Sequence, residues 1–169
     1  MARRRGARLL GEVAVSAIDE RLRTLGLELP GPYPPHDPLD AIVVHGDRAR
    51  TSGQLPRDHD GRLVHPGVLG GGLSVEEGAE AARWCALNAL SVLKSGLGSL
   101  DRVTRVLTVL GFVASAPGFA QQPAVVDGAS KLLYDVFGDA GRHTRSAIGV
   151  AALPRGGAVE IEIEVALTA

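Results

Sequence analysis

Val159-Glu160-Ile161-Glu162-Ile163-Glu164-Val165-Ala166-Leu167 decides the fold, because aliphatic and acidic residues alternate through it without interruption. A period of two places Val159, Ile161, Ile163, Val165 and Leu167 on one face of a strand and the three glutamates on the other. This is the signature of a half-exposed antiparallel strand with its apolar face on a core. Like charges two residues apart cost free energy unless cations or water compensate, so a nearby arginine is expected. Arg145 is the candidate. It opens the preceding β-prone stretch, Thr144 to Ala152, which Leu153-Pro154-Arg155-Gly156-Gly157 joins to the final strand as a predicted hairpin. An arginine fork there suits either a structural ion pair or a small carboxylate ligand.

Moving towards the N-terminus, Pro123 to Phe137 reads as a helix with Val126, Leu133, Val136 and Phe137 as core candidates. Before it, Val103 to Val113 is rich in Val, Leu and Thr and reads as a buried strand, ended by Pro117-Gly118. Ser74-Val75-Glu76-Glu77 is a capping box opening the longest helix, Val75 to Lys94. Ala79, Ala82, Ala86, Leu90 and Leu93 form its apolar stripe, with Trp84 beside it. The preceding Gly70-Gly71-Gly72 lacks the Lys-Ser/Thr of a phosphate loop and reads as a turn. Ala41 to His45 and Ala49 to Gln54 read as a hairpin around Gly46-Asp47, followed by a third strand at Arg62 to His65. A short helix, Ser16 to Leu27, comes first, and the prolines from Pro30 to Pro38 impose an extended connection. The order helix, three strands, helix, strand, helix, two strands predicts an α+β layer with helices on one sheet face.

The 169 residues suit one domain, residues 16–169, behind a flexible basic stretch, residues 1–15, with Arg3, Arg4, Arg5 and Arg8. Hydrophobic residues make up 45% and charged residues 22%, which excludes a disordered chain. A formal net charge of -1 and 4% aromatic residues give no global attraction for nucleic acid and few bases' worth of stacking surface, arguing against a nuclease. No apolar run reaches the length of a membrane span. One cysteine, Cys85, forbids an internal disulfide and predicts a packed thiol, and the chain reads as cytoplasmic. His36, His45, His59, His65 and His143 lack metal-ligand spacing, so no metal is expected and turn or solvated roles are the default. Ser52 lacks a nucleophile-elbow context and reads as a strand-end or ligand-contact serine.

Three passages together resemble the Rid/YjgF family of reactive-intermediate deaminases, often called L-PSP endoribonucleases. They are Thr51-Ser52-Gly53-Gln54-Leu55-Pro56, Arg145-Ser146-Ala147-Ile148-Gly149-Val150-Ala151-Ala152-Leu153-Pro154, and Val159-Glu160-Ile161-Glu162. The resemblance spans Ile18 to Leu167, and the segment Ile18 to Pro35 looks like a longer branch with an N-terminal helix. It implies a chorismate-mutase-like mixed sheet with two main helices on one face, and a homotrimer with clefts between subunits. It further implies hydrolytic deamination of 2-enamine or 2-imine acids to 2-keto acids and ammonia, as in 2-iminobutanoate/2-iminopropanoate deaminases. Arg145 matches the arginine that holds the substrate carboxylate, and Glu160 the glutamate associated with the hydrolytic water. Ser52 matches a ligand-side serine, and the main chain at Gly53 and Ala147 would line the cleft. Ala147 stands where the family commonly has cysteine, so no thiol chemistry is assigned there. Tyr33 keeps a Gly-Pro-Tyr context, but gapless counting back from Ser52 lands on Leu39 instead of the family tyrosine. No metal or organic cofactor is needed for this chemistry. The alternatives are a keto-acid-binding trimer without catalysis, or a relative processing one pathway imine.

Overall fold

The computed structural model describes residues 16–35 and 37–168, so the basic stretch 1–15 and His36 lie outside the described residues. Its helices begin where the capping residues predict. Ser16 accepts from the Asp19 backbone to start α1 (Ala17–Thr24), and Asp101 fixes this helix by accepting from Ser16 Oγ, Ala17 N and Ile18 N at 2.9–3.0 Å. Those three donors, the Ile18 amide contributing most, together hold the Asp101 carboxyl below its ordinary range against the opposing effect of burial. Ser74 and Glu77 close the predicted capping box of α2 (Val75–Leu97), and α3 spans Gln122–Phe137 with proline in its first turn. The strands are β1 (Ile42–His45), β2 (Arg48–Thr51), β3 (Val103–Ala114), β4 (Thr144–Val150) and β5 (Val159–Leu167).

They form one sheet in the order β1-β2-β5-β3-β4, antiparallel except for the parallel pair β3 and β4. The expected hairpin between β4 and β5 is therefore not formed: β3 lies between them. Helix α3 carries the chain from β3 to a parallel β4, the crossover that parallel strands require. The connection after Val150 then crosses β3, which is freed from any tight-turn geometry by its length. The expected strand at Arg62 to His65 shrinks to one bridge, Arg57 to Leu63. Asp58 Oδ1 accepts from both Asp60 N and Arg62 N at 2.9 Å, and this side-chain turn competes with a ladder.

Helices α2 and α3 cover one face of the sheet, and the core lies between them and the apolar side of β3 and β5. Helix α2 is buried well beyond the expected stripe, with Ala81, Cys85, Leu87 and Ala89 inside as well as Ala82, Ala86, Leu90 and Leu93. Small residues allow this. Gly128 of α3 lies so close to α2 that a Cβ built on it would stand 1.9 Å from the Ala79 carbonyl oxygen. The opposite sheet face carries Glu160, Glu162 and Glu164 together with Leu110, Phe112 and the exposed Val43 and Ile148. None of the helices in the described residues is long and apolar enough to cross a membrane.

Candidate functional site

The three glutamates of β5 differ in their surroundings. Glu164 pairs with Arg48 at 3.3 Å and Glu162 with Arg50 at 2.5 Å, so β2 supplies the compensating cations that the alternating sequence called for. Arg145, the arginine expected in that role, does not supply it. Glu160 has no ion-pair or hydrogen-bond partner among the described residues. It is half-buried, and desolvation, then the charge of Glu162, pushes its carboxyl above the ordinary glutamate range.

A slip in strand pairing makes room for it. Gln54 lies four residues beyond Arg50, yet it pairs with Ile161, only three residues back from Arg50's partner Glu164. The extra residue is accommodated at Thr51 to Gly53, where Thr51 Oγ1 accepts from Ile163 N at 3.2 Å. Gly53 is then the floor under the carboxyl: a Cβ there would stand 1.9 Å from Glu160 Oε1. Behind the strand, the Cys85 thiol donates to the Val159 carbonyl at 3.3 Å, and burial pushes that thiol well up. Cys85 is the packed thiol expected, and it steadies the residue preceding Glu160. The Ser52 hydroxyl donates to the Asp40 carbonyl at 2.6 Å, which leaves its oxygen lone pairs free to accept.

The raised Glu160 value has a consequence for stability. Because the folded-state value exceeds the unfolded one, the protonated form favours folding. That contribution is complete below the unfolded value and is lost as pH rises through the folded one. Glu160→Gln is therefore expected to raise Tm at about pH 7, where the wild-type carboxylate is ionised, and to lose that advantage below the ordinary glutamate value. Paired thermal melts at the two pH values check this. An unchanged or lower Tm at neutral pH would contradict it.

Arg145 occupies a different face. It lies in register with Val109 and Ile163, on the helix-covered side, whereas Glu160 lies in register with Phe112 on the open side. The two are three residues apart along β3 and two strands apart across the sheet, roughly 14 Å between their backbones by sheet spacing. Arg145 Nη1 donates to Asp127 Oδ1 at 2.8 Å and to Ser130 Oγ at 2.9 Å, and Nη2 donates to the Pro123 carbonyl at 3.2 Å. Ser130 Oγ is also 2.9 Å from His143 Nε2, and His143 Nδ1 is 2.6 Å from the Gly141 carbonyl. The consistent assignment has Nδ1–H donating to that carbonyl and Nε2 accepting from the serine, a neutral imidazole. Burial, first of all, and the charges of Arg145 and Arg105 hold His143 below its ordinary value, opposed by the hydrogen bond to Gly141. His143 is thus a half-buried member of the arginine's support, not the solvated or turn histidine expected. Asp127 and Ser130 escaped the sequence reading, although their spacing of three on a helix marks one face. Ala147 lies in register with Gly111 and Ile161 and packs its methyl on the core, so only its main chain is open to a ligand.

Tyr33 has a structural role in the chain. Its hydroxyl donates to the Asp58 carbonyl at 2.5 Å and the Arg57 guanidinium stacks 4.9 Å from its ring centroid. Among the described residues, no three His, Cys, Asp or Glu side chains converge as a metal site would need.

A mixed sheet with helices on one face, a bulged glycine under a glutamate unpaired among the described residues, and a braced edge-strand arginine define a chorismate-mutase-like α+β protein. The family model described as "YjgF/chorismate_mutase-like, putative endoribonuclease" matches residues 19–160, and the chain belongs to that family. Protein TCP17 of Trypanosoma cruzi is 44% identical over 156 residues, which cover 92% of this chain and 97% of that one. A crystal structure of the Agrobacterium tumefaciens protein Atu1372, of unknown function, is 37% identical with a TM-score of 0.82, covering 90% of this chain and 94% of that one. A crystal structure described as a "putative endoribonuclease" from Shewanella oneidensis is 32% identical with a TM-score of 0.85, covering 89% and 99%.

Proposed function

We propose that the protein hydrolyses 2-imino acids, and the enamines in equilibrium with them, to 2-keto acids and ammonia. The observation that carries this reading is Glu160: half-buried, unpaired among the described residues, and raised above the ordinary carboxylate range. A general base works best when its pKa approaches the operating pH, and its lone pairs must be free to take a proton from water. Arg145 has the complementary property. Its fork is oriented by α3, and a substrate carboxylate can take the place of the exposed Asp127 carboxylate on it.

In the proposed reaction Arg145 holds the substrate carboxylate, and water attacks the C=N carbon. The water oxygen bonds to that carbon while Glu160 takes one of its protons. The C=N electron pair moves to nitrogen, which takes that proton from Glu160 to give the carbinolamine; as its C–N bond breaks, the hydroxyl proton passes by way of Glu160 to nitrogen, and ammonia leaves behind a 2-keto acid. Ser52 and the main chain of Gly53 and Ala147 line the ligand side. Since Arg145 and Glu160 emerge on opposite faces of one sheet, the working cleft joins Arg145 of one copy to Glu160 of another, in a homotrimer.

The test couples an amino-acid dehydratase or oxidase to semicarbazide trapping of the imine. The protein is expected to shorten the lifetime of the imine and to lower the yield of trapped semicarbazone. A trapped yield unaffected by the protein, together with saturable keto-acid binding, would replace the deaminase by a binding trimer.

A further inference from the structure

A groove lies away from Arg145 and Glu160, between the outer face of α2 and the segment formed by α1 and residues 27–32. Its volume is about 890 Å³, within the range of small-molecule sites. On α2 the residues Arg83, Leu87 and Ser91 recur every four positions and so present one face to it. Leu22, Leu27 and Leu87 give it an apolar floor, and Trp84, the sole tryptophan of the chain, lines it beside them. The His59 ring meets Trp84 edge-on, with centroids 5.5 Å apart.

Its polar groups are left unequally satisfied. Lys94 pairs with Asp19 at 2.7 Å and Arg23 pairs with Glu20, so these charges are already answered. Arg83 and Glu28 line the groove with no ionic partner among the described residues. Ser91 borders the groove and is only 5% exposed as a residue.

We propose that this groove binds an apolar α-amino acid as its zwitterion. One free guanidinium takes the carboxylate in a bidentate fork, one free carboxylate takes the ammonium, and the side chain lies on the Trp84 and leucine floor. The equal count of unanswered charges disfavours a phosphate or a simple anion, for which Glu28 would be repulsive. The site is independent of the imine chemistry, since Arg145, Glu160 and Ser52 take no part in it.

Trp84 emission reports the groove directly, because no other indole contributes. Full-length protein titrated with L-leucine is expected to give a saturable change in emission, matched by calorimetry. 4-Methylpentanoate, lacking the amine, and 3-methylbutylamine, lacking the carboxylate, are each expected to bind at least about tenfold more weakly. Arg83→Ala and Glu28→Ala, both at exposed positions, are expected to weaken L-leucine by about tenfold each, with circular dichroism unchanged. Arg145→Ala is expected to leave the titration as it is. The proposal is overturned by any of four results: no saturable change, binding heat without a change in Trp84, equal affinity for either analogue, or loss of the response in Arg145→Ala.

Discussion

Arg145→Ala is expected to abolish deamination while the fold survives. The guanidinium is at the sheet edge, with its side chain 21% exposed, and its bonds reach only Asp127, Ser130 and Pro123 of α3. Losing them costs about 1–3 kcal/mol, small beside the stability of most domains of this size. The loss in kcat/KM is expected to be at least about a hundredfold, because the carboxylate anchor fixes the electrophilic carbon for attack. Arg145→Lys keeps the charge without the planar fork and is expected to recover only part of the rate. Undiminished turnover by Arg145→Ala would sink the assignment.

The same variant tests where the two halves of the site come from. Glu160→Gln removes the proposed base and is expected to lower the rate by at least about a hundredfold. Refolded together in equal amounts, the two variants are expected to form mixed assemblies of the proposed homotrimer. If each site draws Arg145 from one copy and Glu160 from another, random assembly restores about one quarter of wild-type activity. A site built within one chain would recover none. This outcome separates a composite cleft from a rearranged protomer without needing a bound ligand.

Gly128→Ala is expected to have the largest effect on stability. The atom its new Cβ would strike, 1.9 Å away, is the backbone carbonyl oxygen of Ala79, so no side chain can swing aside. Relief requires α2 and α3 to separate, and with them the layer that packs Ala82, Ala86 and Val125 against the sheet. Overpacking of this kind costs about 3 kcal/mol. For a chain of this length that lowers Tm by roughly 10 °C. Because alanine has the higher helix propensity, a surface glycine-to-alanine change would raise stability, so the sign of the measured shift is itself diagnostic.

The alternation of β5, the capping box of α2 and the proline-started α3 were legible in the sequence because each is a local pattern, set by residues a few positions apart. The membership of Ser52, Gly53, Arg145, Ala147 and Glu160 in a common site was suggested only by likeness to a family. Their sequence neighbours could not say which strands lie side by side. The insertion of β3 between β4 and β5 placed Arg145 on the helix side and Glu160 on the open side, and passed the neutralising role to Arg48 and Arg50. The bracing of Arg145 by Asp127, Ser130 and His143 likewise joins residues from a helix, a loop and a strand.

Periodicity and capping therefore determined where the helices and the main strands form and which side of β5 meets the core, since those depend on bond geometry and nearby side chains alone. Strand order, the bulge that seats Glu160 on Gly53 and the isolation of that carboxylate were decided only by tertiary structure. They arise from backbone pairing between residues distant in sequence, such as Thr108 with Thr144 and Arg50 with Glu164, where the packing of the whole layer selects among registers that each strand could adopt by itself.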